Sequence, residues 1–121
     1  MDFDDIWSYA PHSGHQEGQD LTGFSVEASD GTIGHVDRQA EDTPRRHLIV
    51  DTGVWVFGKS VLVPAGLVAR IDPETQRITV ASTRDEVKSA PLFRTDRETS
   101  DVGYLESVAA YYRGLARTRS S

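Results

Sequence analysis

The sequence predicts a mostly β fold, a small barrel or sandwich, with a short N-terminal helical arm and a C-terminal amphipathic helix. Three observations carry that expectation. Residues 21–81 divide into short runs rich in Val, Ile, Leu and Thr, with turn-forming residues every several positions. Asp30-Gly31 stands between two apolar-alternating runs, a strong short-range hairpin signal. Outside that stretch the apolar spacing changes from two to helical, first in "MDFDDIWSYA" and again in "DVGYLESVAAYYRGLAR".

Taken in order, the chain opens with Phe3, Ile6, Trp7 and Ala10 on one helical face, and acidic residues occupy the first turn, where the helix dipole favours them. "PHSGHQEGQD" has no period and reads as a flexible connector, so residues 1–20 form an arm and linker. The β region follows: "GFSVEASDGTIGHVD" as a hairpin, then "RHLIVDT", "VWVFG", "SVLVPAGLVARID" and "QRITVAS". Pro73 sets φ for a turn at Asp72-Pro73-Glu74-Thr75, and Pro64 marks a strand end or an unpaired edge. Thr83-x-x-Glu86 fits a capping box opening a helix that Pro91 stops. Asp101 is placed as the N-cap of the last helix, in which Val102, Leu105, Val108, Ala109 and Tyr112 recur at helical spacing.

A chain of 121 residues is one domain with short appendages, long enough to bury a core without staples. It has no Cys, which removes disulfides, thiolate metal sites and thiol nucleophiles. No run approaches a membrane-spanning length, and no basic segment leads into an apolar one, so a cytoplasmic location is expected. The net charge of −6 (13 basic against 19 acidic residues) argues against general affinity for nucleic acid or an anionic membrane.

Three segments together carry a family resemblance: "LTGFSVEASDGTIGHVD", "HLIVDTGVWVFGKSVLVPAGLVARID" and "RITVASTRDEVKSAPLF". They resemble the PRC-barrel domain, similar to the cytoplasmic barrel of the photosynthetic reaction-centre H subunit and found again in a ribosome-maturation factor. Residues 21–93 cover the domain nearly end to end, leaving 94–121 as a linker and C-terminal helix. The resemblance implies a small, mostly antiparallel barrel that binds other macromolecules, and it implies no common catalytic residues; no cofactor is expected. The chain has neither the reaction-centre subunit's membrane helix nor the ribosome factor's companion module, so neither role is carried over.

One motif points to an enzyme. Leu48-Ile49-Val50 leads into Asp51-Thr52-Gly53, the pattern by which aspartic peptidases present a catalytic carboxylate. A retroviral-type peptidase would need Asp51 from two chains sharing one proton. Against this, Val54-Trp55 replaces the small residue expected after Gly53, no later apolar-apolar-Gly element follows, and the flap is replaced by two ordinary strands. Asp51 and Gly53, like Asp30 and Gly31, are therefore expected in turns, where Asp bonds neighbouring amides and Gly accepts positive φ.

His12 and His15 are three apart but have no third ligand nearby, so no metal is expected; His35 and His47 are expected at the surface. Arg45-Arg46 is too short for a nucleic-acid patch, which leaves a ribosome or RNA accessory role as a second alternative without a basic stripe behind it. The informative stretch is "VWVFG". As a strand it would put Val54 and Val56 on one face and Trp55 and Phe57 on the other, and a small barrel buries only one face in its own core. The aromatic face is then covered by the chain's own ends, with Trp7 and Tyr112 as covering groups, or by another protein, a second copy included. The sequence thus points to a non-enzymatic interaction module, a homodimer centred on Trp55 and Phe57.

Overall fold

The computed structural model describes residues 6–9, 11–16, 18–40, 45–52, 60–90 and 101–120. Among these, six strands form one sheet: β1 (Ser25–Ala28), β2 (Gly31–Ala40), β3 (His47–Asp51), β4 (Ser60–Pro64), β5 (Val68–Asp72) and β6 (Arg77–Val80). Two helices follow, α1 (Arg84–Lys88) and α2 (Val102–Ser120). The mostly β expectation holds.

The strand order is β4-β3-β2-β1-β6-β5. This sheet differs from an antiparallel barrel in two ways. It is mixed, because β1 and β6 run parallel with Val26 opposite Ile78. It is also not closed: among the described residues no ladder joins the edge strands β4 and β5. Those edges are nevertheless consecutive in the chain, linked only by the 3-10 turn Ala65–Leu67. Six flat strands would hold their edges about 24 Å apart, whereas the few residues from Pro64 to Val68 reach at most about 14 Å. The sheet must therefore curl, and register shifts in β1, β2 and β5 supply the extra bend and twist.

Curling brings side chains from all six strands into one inner cluster, with Val26, Ile33, Leu48, Val61, Ile71 and Ile78 each contributed by a different strand. Leu21, Phe24 and Val87 complete it. Gly34 is required by the closeness of β2 to β3, since a Cβ there would stand 2.0 Å from the Asp51 carbonyl oxygen.

The local signals are realised as hydrogen bonds. The β1–β2 hairpin turns at Ser29-Asp30, and Gly31 is already the first residue of β2, opposite Ala28. Asp30 Oδ1 accepts from the Arg84 amide at 2.8 Å, tying the hairpin tip to the start of α1. The capping box is present in both directions, Glu86 N–H to Thr83 Oγ1 at 3.1 Å and Thr83 N–H to Glu86 Oε1 at 2.8 Å. Asp101 caps α2 by accepting from the Tyr104 amide at 3.2 Å.

Two expectations are corrected at the N-terminal end. Ile6, Trp7 and Ser8 form a turn, not a helix, while Phe3 and Ala10 lie outside the described residues. The segment read as a flexible connector includes a 3-10 turn, Pro11–Ser13, that packs against β5 and buries Ser13. The edge of β5 is thereby covered, which a solvated linker would leave open. Among the described residues, no helix is long and apolar enough to cross a membrane.

Candidate functional site

β3 and β4 are buried along nearly their whole length, so both of their faces are covered. Alternation sends Leu48 and Val50, with Val61 and Val63, inward. Ile49 and Leu62, Cα partners across the ladder, point to the opposite face. Ile6, Trp7, Ala90, Leu105, Val108, Ala109 and Tyr112 cover that pair as an outer layer.

The N-terminal strap is fixed by backbone as well as side chains. Gly66 N–H donates to the Ile6 carbonyl at 2.6 Å, and Arg46 N–H donates to the Trp7 carbonyl at 3.1 Å. Gly66 is needed for this approach, because a Cβ would lie 2.5 Å from the Ile6 oxygen. The Trp7 ring meets the His47 ring edge to face, with centroids 6.3 Å apart. His47 is 3% exposed, so its expected surface position is corrected: it shares the outer face with Ile49, and the strap lies over it. Its Nδ1 lies 2.8 Å from the Arg45 carbonyl oxygen, to which a neutral ring protonated at Nδ1 donates. Burial pushes the His47 pKa down, opposed by that bond.

On the helical side, Tyr111 donates its hydroxyl to the Glu86 carbonyl at 2.5 Å and meets Tyr112 edge to face at 5.0 Å. Tyr112 is 2% exposed, and among the described residues its hydroxyl has no hydrogen-bond partner. Burial, then Tyr111, drives its pKa far above the ordinary tyrosine value. An unsatisfied buried hydroxyl costs about 1–3 kcal/mol. Tyr112→Phe is therefore expected to stabilise the protein by about 1 kcal/mol in urea denaturation; a loss of stability of that size would show that the hydroxyl is bonded.

Of the residues singled out in the sequence, Trp7 and Tyr112 meet in the same outer layer. Trp55, Phe57 and Gly53 lie outside the described residues. Asp51 is corrected from turn to strand: it is the last residue of β3, paired with His35 and Ser60, and its side chain is exposed. The ladder continues through Asp51 because β2 is long enough to pair with β3 along its full length. His12 and His35 are exposed, whereas His15 stacks on Tyr9 at 3.8 Å. Among the described residues, no group of three or more His, Asp or Glu is placed to hold a metal ion.

Sequence reasoning missed the pairing of His47 with Trp7. The signal was there in "HLIVD", an unbroken apolar run headed by His, since a strand without alternation has both faces covered and its first residue shares the face of its third. No family model matches the chain, and no curated protein matches it.

Proposed function

We propose that this chain is a non-catalytic protein-interaction module of the PRC-barrel type, which self-associates through Trp55 and Phe57. The observation that carries this reading is the two-sided burial of β3 and β4. The ends of the chain cover Ile49 and Leu62, and in sequence the two aromatics fall between those same strands. The inner cluster draws apolar side chains from all six strands, the construction of a scaffold whose surface carries the function. The curled six-stranded sheet is compatible with the barrel-like architecture that the sequence motifs resemble.

Light scattering on the wild type and on Trp55→Asp and Phe57→Asp tests the proposal. A wild-type dimer that both substitutions split into folded monomers is the expected result, with an affinity loss of roughly 100-fold from placing a carboxylate in an apolar interface centre. A folded double variant that associates like the wild type sinks it.

A further inference from the structure

We propose that the N-terminal strap is a pH-operated latch: protonation of His47 undocks Ile6 and Trp7 and bares the outer face of β3 and β4, while the inner cluster stays folded. The latch depends on where the strap is fastened. Among the described residues, the backbone bonds from Gly66 to Ile6 and from Arg46 to Trp7 hold it beside the Trp7–His47 ring contact, with the Ile6 and Trp7 side chains buried. Both bonds end within two residues of His47 or of its ladder partner Pro64: Arg46 precedes His47, and Gly66 lies two beyond Pro64. The imidazole thus sits where the strap is tied down.

A buried imidazolium costs solvation free energy unless an anion compensates it. Arg45 and Arg46 lead into β3, and Asp51 lies at its far end. β2 carries His35, Asp37 and Arg38, but the residue it pairs with His47 is Ala40. β4 carries no titratable side chain and pairs Pro64 with His47. The described strap brings Tyr9, the segment from α1 to Ala90 brings Arg84, Asp85, Glu86 and Lys88, and α2 brings Tyr104, Glu106, Tyr111, Tyr112 and Arg113; Asp2, Asp4, Asp5, Glu41 and Asp42 lie outside the described residues. Burial lowers the His47 pKa, and among the described residues the hydrogen bond to the Arg45 carbonyl opposes it.

The sign follows from linkage. The ring binds its proton more weakly when the strap is docked than when it is open. Docking is therefore fully favoured above the ordinary histidine value of 6.5 and is lost as pH falls through the lower docked value. The cheaper response to protonation is to undock Ile6 and Trp7, because both belong to the outer layer, while Tyr9, which packs on the inner cluster, marks where the strap stays attached. The latch operates whether or not the chain self-associates.

Fluorine NMR on the full chain carrying 5-fluorotryptophan, with the Trp7 resonance assigned by its loss in Trp7→Phe, reads the latch between about pH 8 and pH 5. The expected result is a reversible shift of the Trp7 resonance toward that of free 5-fluorotryptophan, with a midpoint below 6.5 and unchanged far-ultraviolet circular dichroism. His47→Gln is expected to abolish the shift. Gly66→Ala, which crowds the strap off, is expected to show the open resonance already at the alkaline end. Three results overturn the proposal: a shift that persists in His47→Gln, loss of circular dichroism at the same midpoint, or a Trp7 resonance that stays put while the fold survives. Should His47→Gln fail to fold, the wild-type His47 ring proton must titrate with the same midpoint as Trp7, and a different midpoint overturns the proposal equally.

Discussion

Gly34→Ala is expected to destabilise the protein by about 3 kcal/mol, lowering the melting temperature by about 10 °C. The added methyl has no flexible neighbour to move. It would stand 2.0 Å from the Asp51 carbonyl oxygen, 2.8 Å from the Asp51 carbonyl carbon and 3.0 Å from the Thr52 Cα, all backbone. Gly34 also pairs with Val26 of β1, so β2 is held on both sides and cannot slide away from β3 without opening a second ladder. The gain of replacing Gly by Ala in the unfolded chain, about 0.5–1 kcal/mol, is too small to offset this. Urea denaturation of wild type and variant decides the point. A change below about 1 kcal/mol would mean that β2 and β3 lie farther apart than described.

The second large effect is expected at Leu62. Leu62→Ala should cost about 3 kcal/mol, within the range for truncating a fully buried leucine. Leu62 is 1% exposed, yet it lies on the face of β4 away from the inner cluster. If that face were merely surface, truncation would cost about 0.5 kcal/mol or less. A large loss therefore measures the cover supplied by Ile6, Trp7, Leu105, Val108 and Tyr112. Inward-pointing Val61 is the internal comparison, and Val61→Ala is expected to be costly through the other cluster. A Leu62→Ala variant as stable as the wild type would remove the outer layer from the account of what holds this fold together.

Much of the fold is legible in the residues. Asp-Gly marks the first hairpin, Asp72-Pro73 the last turn, Thr83 and Glu86 the capping box, and Asp101 the cap of α2; each acts within a few positions, so sequence spacing carries the information. Pro64 is likewise a strand end. The candidate site was legible in part, because Trp7 and Tyr112 were expected as covers and do share one layer. What they cover among the described residues is Ile49 and Leu62, and the sequence reading had assigned the covered face to Trp55 and Phe57.

The sequence by itself determined the mostly β class, most element boundaries among the described residues, and the amphipathic stripe of α2, all of which follow from local propensity and period. Only the tertiary structure decided that β1 pairs in parallel with β6, that the sheet curls with no ladder joining its edge strands among the described residues, and that His47 is buried under Trp7. Each of these depends on contacts between residues far apart in the chain: His47 is forty positions from Trp7, and Val26 more than fifty from Ile78. Burial is a property of what lies opposite a side chain. A run such as "HLIVD" states that both its faces need cover, and only the folded chain shows what supplies it.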